Sequence, residues 1–203
     1  MTEIRERFDK KELAALPVAQ FGGSIHVLLT EREARKAVDF LLCQAIVGID
    51  TETRPSFRRG QCHQVALLQV STADQCFLFR LCRMGIPPCV KQLLESPKVV
   101  KVGLSLKDDF LQLNRGSRMC PESYIELQDE VKQIGIEDMS LQKIFANLFG
   151  YKISKRQQLT NWEADVLTEA QKRYAATDAW ACLLIHREIM KLKNSDDFVL
   201  IKA

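Results

Sequence analysis

Ile46-Val47-Gly48-Ile49-Asp50-Thr51-Glu52-Thr53 is a short apolar run that ends in two acids one residue apart. Its β-branched content predicts a buried strand. Side chains at i and i+2 of a strand share a face, so Asp50 and Glu52 stand side by side where the strand leaves the core. Two carboxylates forced together stay ionised only with a cation between them. Oxygen ligands at close range suit a hard divalent ion such as Mg²⁺ or Mn²⁺. An acid-x-acid triplet also arises by chance in a chain of ordinary charge, so its meaning depends on what converges with it.

The chain around this strand has 203 residues, 46% hydrophobic and 27% charged, with a net charge of +3. That suits one domain with a sizeable core. Any nucleic-acid binding must come from where the basic residues lie, since they are barely in excess. The start, Met1-Thr2-Glu3-Ile4-Arg5-Glu6-Arg7, lacks the apolar stretch of a secretory signal. No apolar run approaches the roughly 20 residues that span a bilayer. Seven cysteines without a CxxC pair predict reduced thiols, and with them a soluble cytoplasmic protein, rather than a disulfide framework. Cys62-His63 has no second pair at ligand spacing, which argues against structural zinc.

Along the chain, a charged start and an apolar arm (Leu13 to Phe21) precede a Gly22-Gly23 turn and a strand at Ile25–Leu29. Thr30 and Glu33 form a capping box that opens a helix to about Cys43. After the acidic strand and a loop over 54–60, strands are expected at Val65–Val70 and Cys76–Phe79, joined as a hairpin. A helix follows from Pro87-Pro88 to about Glu95. Then come a strand at Lys98–Gly103, a helix from Ser105 to about Leu113, a last strand at Tyr124–Leu127, an acidic connector, and helices at Ser140–Phe149 and Thr168–Lys193. The tail from Asn194 has no clear pattern. The sum is a mixed α/β layer fold with helices packed on the sheet.

Two further segments carry acids that can meet the first pair. In Val102-Gly103-Leu104-Ser105-Leu106-Lys107-Asp108-Asp109-Phe110 either aspartate serves equally as a first-turn helix acid. Asp109 lies nearer the apolar edge set by Leu106, Phe110 and Leu113, and Asp108 faces outward. In Tyr174-Ala175-Ala176-Thr177-Asp178-Ala179, Tyr174 and Asp178 are i and i+4 on one helix face, and the small residues between them allow a close approach to the sheet. Four carboxylates in one pocket require charge balance, which two divalent ions provide. Two ions about 3.5–4 Å apart are a recognised device for displacement at phosphorus. Tyr174, with an ordinary pKa of about 10, orients water better than it removes a proton.

These three segments resemble the exonuclease motifs of the DEDD superfamily in its tyrosine branch. Gly60-x-x-x-x-Val65-Ala66-Leu67-Leu68-Gln69, Leu159-Thr160-Asn161-Trp162 and Leu167-Thr168-x-x-Gln171-x-x-Tyr174 are most similar to the Werner-type exonuclease domain and small bacterial relatives. Ribonuclease D and the proofreading domain of DNA polymerase I are more distant. The resemblance spans about residues 22–192. It implies an RNase H-like α/β fold and a 3′→5′ exonuclease with two Mg²⁺ or Mn²⁺ ions, releasing nucleoside 5′-monophosphates. It also implies Asp50, Glu52, Asp109 and Asp178 as metal ligands, Tyr174 as the fifth catalytic residue, and Asp109 over Asp108. DNA with a free 3′ end is the expected partner, with RNA the alternative. A nucleic-acid-binding module without catalysis is the rival of another class. Substrate-contact candidates are Thr51, Thr53, Arg54, Phe57, Arg58, Arg59, Lys107, Lys155, Arg156 and Trp162, through phosphate contact or base stacking.

Overall fold

The computed structural model describes residues 2–58, 60, 62–115, 118–195 and 197–202; Arg59 lies outside them. Its centre is a six-stranded mixed sheet. In chain order the strands and helices are β1 (Thr2–Arg5), α1 (Lys10–Ala15), β2 (Ser24–Leu28), α2 (Glu31–Leu41), β3 (Ile46–Thr53), β4 (Val65–Ser71) and β5 (Gln75–Phe79). Next are α3 (Leu81–Met84), α4 (Pro88–Leu94), β6 (Val100–Gly103), α5 (Leu106–Asn114) and β7 (Tyr124–Glu126). The last are α6 (Leu127–Gln133), α7 (Leu141–Phe149), α8 (Glu169–Ser195) and β8 (Phe198–Ile201). The large sheet runs β2-β5-β4-β3-β6-β7, and β1 pairs with β8 apart from it. β3, β4 and β5 are antiparallel neighbours, whereas β2 joins β5, β6 joins β3, and β7 joins β6, all in parallel.

Alternation along β3 assigns its two faces. Val47 and Ile49 enter a core with Ala34, Val38, Leu93 and Phe110 from α2, α4 and α5. Gly48 turns the other way, toward α8. A Cβ at Gly48 would lie 1.9 Å from the Ala179 carbonyl oxygen of α8, so the absence of a side chain sets how near that helix comes. The opposite layer holds Val102 with Leu127, Phe145 and Ile185 of α6, α7 and α8. Burying both faces of a central strand excludes water from everything but its exit.

The helix starts follow their local chemistry. Thr30 and Glu33 make the reciprocal capping box, the Thr30 N–H donating to Glu33 Oε2 at 3.0 Å and the Glu33 N–H to Thr30 Oγ1 at 3.3 Å. Thr168 and Gln171 do the same at α8, at 3.0 and 3.2 Å. α5 begins differently. Ser105 takes a left-handed backbone with φ 63°, and the Glu126 carboxylate at the end of β7 accepts the Ser105 and Leu106 N–H groups at 2.8 and 2.7 Å. The tail after Asn194 forms β8, and the supposed acidic connector contains helix α6. Among the described residues no helix is long and apolar enough to cross a membrane. The cysteines are free; Cys43, Cys62, Cys82 and Cys120 are exposed, and Cys76, Cys89 and Cys182 are buried.

Candidate active site

The acidic end of β3 opens into a cavity of about 360 Å³ lined by Asp50, Thr51, Glu52, Lys155, Tyr174 and Asp178, among others. Carboxylate oxygens of Asp50, Glu52 and Asp178 lie within 4.8 Å of one another. Strand alternation puts the first two on the face that α8 covers, and helical spacing aims Asp178 at them. Asp109 reaches the same strand end from α5, on the opposite layer. The Thr51 hydroxyl donates to its Oδ1 at 2.6 Å, so Asp109 stands beside the tight triad rather than in it. Asp108 is exposed, which agrees with the expectation that Asp109 is the inward acid.

Burial is the main cause of every perturbed carboxyl here. Asp50 is held well above the usual carboxylate range by burial, then by the charges of Asp178, Asp109 and Glu52. Glu52 is pushed up to about 9 by burial and by Asp178 and Asp109. Burial takes Asp178 to about 7 although Tyr174 and Lys155 pull it down, and Asp109 to about 6 against the Thr51 hydrogen bond. The Oδ1 of Asp178 is buried with no hydrogen-bond partner among the described residues. Clustered oxygens, mutual repulsion and an unpartnered carboxylate atom fit a divalent cation, which this donor set would hold. The Tyr174 phenol is raised by burial and then by Asp178, Glu52 and Asp50, so it stays protonated at neutral pH.

The substrate-contact candidates scatter. Lys155 lines the acidic cavity, and Arg156 lines the neighbouring groove. Thr51 is occupied with Asp109, and Thr53 sits at a break in the β3–β4 register. Arg54 pairs with Glu163 at 3.1 Å. Phe57 is 82% exposed on the loop after β3, and Arg58 and Lys107 are exposed too. Trp162 requires correction as a stacking platform, because it is fully buried. Its ring lies 5.9 Å from that of Tyr174, so it backs the phenol from inside. The Leu159–Trp162 segment is tied to α8 by the Gln171 amide, which donates to Thr160 Oγ1 at 3.0 Å and the Asn161 carbonyl at 3.3 Å. Cys62-His63 makes no metal cluster among the described residues, and His63 instead meets Glu163 at 3.1 Å.

Sequence reasoning missed several pocket residues, including Ser140, Gln142, Gln158 and Cys182. Cys182 was within reach, since it falls one helical turn after Asp178. Gln69 was also missed as a neighbour of the site. It pairs directly across the strands with Asp50, and it is fully buried, with neither amide atom partnered among the described residues.

A mixed sheet whose central strand delivers buried carboxylates, fit for a divalent ion, to one cavity defines a metal-dependent hydrolase of the RNase H-like class. Residues 25–193 match the family model described as 3′-5′ exonuclease, and the chain belongs to that family, within the DEDD superfamily. It is 33% identical over 165 residues to the mouse (Mus musculus) bifunctional 3′-5′ exonuclease/ATP-dependent helicase WRN, an alignment covering 78% of this chain and 12% of that one. The chain thus spans about an eighth of that relative. Among solved structures, the Aedes aegypti Nibbler EXO domain superposes with TM-score 0.78 at 19% identity, covering 86% of this chain and 90% of the other. Escherichia coli RNase D, described as an exoribonuclease involved in structured RNA processing, superposes with TM-score 0.76 at 20% identity over 84% and 45%.

Proposed function

We propose that this chain removes nucleotides from the 3′ end of a nucleic-acid strand as 5′-monophosphates, with Asp50, Glu52, Asp109 and Asp178 holding two Mg²⁺ or Mn²⁺ ions. The observation that carries this is the meeting of Asp50, Glu52 and Asp178 oxygens within 4.8 Å. When bound, such ions supply activated hydroxide and stabilise charge on the leaving oxygen. The residues do the rest. Asp50 and Glu52 are fixed by β3, so their spacing is set before substrate arrives. Asp178 reaches them from the first half of α8. Thr51 holds the Asp109 carboxylate in one orientation. Tyr174, kept protonated, donates or accepts a hydrogen bond that orients the attacking water without taking its proton. Trp162 keeps the phenol from swinging inward. Lys155 lines the same cavity as Asp178 and is the proposed contact for the scissile phosphate.

DNA is the first expected substrate, from the resemblance to the Werner-type domain and the proofreading domain. RNA is the second, favoured by the likeness to RNase D in overall shape. Matched 3′-labelled DNA and RNA strands in Mn²⁺, with and without chelator, decide between them. The same assay tests the site. Asp50→Ala and Asp178→Ala should each remain folded and lose at least about a hundredfold in rate, the scale of a removed electrostatic stabiliser. Tyr174→Phe should lose less, about tenfold. Near wild-type rates for either aspartate variant would remove that residue from the ligand set.

A further inference from the structure

We infer that residues 10–20, which precede the family-matched stretch, form one wall of a groove that holds the single strand just upstream of the cleaved nucleotide. The inference rests on the exonuclease reading of the acidic cavity. The groove has a volume of about 870 Å³, with Lys10, Leu13, Ala14 and Val18 on the arm side and Lys155 and Arg156 facing them. It opens into the acidic cavity, because Gln142, Ile153, Ser154, Lys155 and Tyr174 line both. A strand whose last phosphodiester lies at the carboxylates therefore has a continuous path away from them.

Charge and lining suit that occupant. Lys10, Lys152, Lys155, Arg156 and Arg173 border the groove, against one acid, Glu169. Lys10, Lys155 and Arg156 are exposed. Lys152 and Arg173 donate to the carbonyls of Ala14 and Phe21, which pins the arm and leaves both cations in place. Basic side chains along an open channel track a phosphate backbone without regard to sequence. The apolar share of the lining, Leu13, Val18, Ala19 and Ile153, gives base faces something to lie on, which paired bases do not need. A duplex is therefore the poorer occupant.

The wall is built before substrate comes. β1 pairs with β8, and the Phe8 N–H donates to Asp138 at 2.6 Å. The Asn147 side chain accepts from the Arg5 N–H at 2.9 Å and donates to its carbonyl at 2.6 Å. Backbone bonds at 2.9 Å join Ala19 to Lys152 and Lys152 to Pro17. Such preorganisation lowers the ordering cost of binding.

The test uses the double variant Lys10→Glu/Ala14→Glu, both positions exposed on α1 and away from the carboxylates. Three substrates are compared in Mn²⁺: the p-nitrophenyl ester of thymidine 5′-monophosphate, a dinucleotide, and a longer 3′-labelled single strand. The strand's affinity is also measured by fluorescence anisotropy in EDTA. The variant should bind the long strand about tenfold more weakly and raise its KM similarly. Its log–log salt dependence should flatten by roughly 0.7 for each phosphate that the arm ceases to neutralise. Turnover of the ester, which has no upstream nucleotide, should not change, and the dinucleotide should lose less than the long strand. Unchanged strand affinity, or equal losses on all three substrates, would overturn the groove assignment. If the wild type leaves the ester and both strands intact, the exonuclease reading fails instead, and the EDTA binding data still judge the groove.

Discussion

Gln69 departs from ordinary packing beside the acidic cluster. It is fully buried, faces Asp50 across the strand pair, and has neither amide atom partnered among the described residues. An unsatisfied buried polar group costs about 1–3 kcal/mol. Gln69→Met keeps the length and removes both polar atoms, so in metal-free buffer it should hold stability constant or raise it by about 1–2 kcal/mol. Urea unfolding measures this, and a loss above about 1 kcal/mol would mean that the amide has partners after all. The sequence pattern could not flag Gln69 as buried, since a polar residue within an otherwise apolar strand ordinarily marks a solvent-facing position. The same limit explains Trp162, where only tertiary packing decides between a base platform and a buried support. Asp50 with Glu52 and Tyr174 with Asp178 were legible because their spacing sets each pair on one face, whereas Asp109 over Asp108 came from the family resemblance.

At the level of elements, the fit of α8 on β3 decides whether those residues meet. Gly48→Ala places a methyl against the Ala179 carbonyl, where neither backbone can yield alone. Overpacking of this kind costs typically about 1–3 kcal/mol, and the shift of α8 should also lower turnover by moving Asp178 and Tyr174 away from Asp50 and Glu52. Denaturation midpoints and Mn²⁺-dependent rates read the two effects, and a variant unchanged in both would contradict the packing described. Thr30→Ala is the milder counterpart. Losing one half of the capping box should cost about 1 kcal/mol in thermal or urea unfolding, with catalysis intact because α2 is remote from the cavity. Elements with strong local periodicity or caps, β2 to β7 with α2, α4, α5, α7 and α8, could be read in advance. β1 and β8 could not, since each has four residues and exists by pairing with the far end of the chain. α6 was hidden because Glu126 ends β7 and caps α6 at once, and its acids masked the Leu127 and Val131 spacing.

Across the whole molecule, the fold stores electrostatic repulsion that a cation relieves, and this links stability to pH. A carboxyl whose folded pKa exceeds its unfolded one binds more protons folded than unfolded, so stability falls as pH rises between the two values. Asp109 and Asp178 start from 3.8 and lie at about 6 and about 7, while Glu52 starts from 4.5 and lies at about 9. The metal-free protein should therefore be most stable near the lower edge of this window and lose melting temperature steadily toward its upper edge. Glu33 has the opposite sign, its pKa lowered by the capping hydrogen bonds, but its contribution is complete once pH has passed its ordinary 4.5, at the foot of the window. Lys101, lowered by burial from 10.5 to about 8, opposes the trend only at the top of the window, where Glu52 and Asp50 still hold extra protons in the folded state. A divalent ion that binds only the folded, deprotonated site adds stability by mass action, about 2.7 kcal/mol at a hundredfold excess over Kd. Its effect must grow as the carboxyls deprotonate. Melting curves at about pH 5, 7 and 9 in EDTA and in Mn²⁺ should thus diverge with rising pH. Asp178→Asn removes one of the repelling acids, so it should flatten the EDTA trend and shrink the Mn²⁺ increment together. A metal-free melting temperature that climbs across the same range would show that the acids are not crowded as the fold places them, because the raised carboxyl pKa values among the described residues all belong to this cluster.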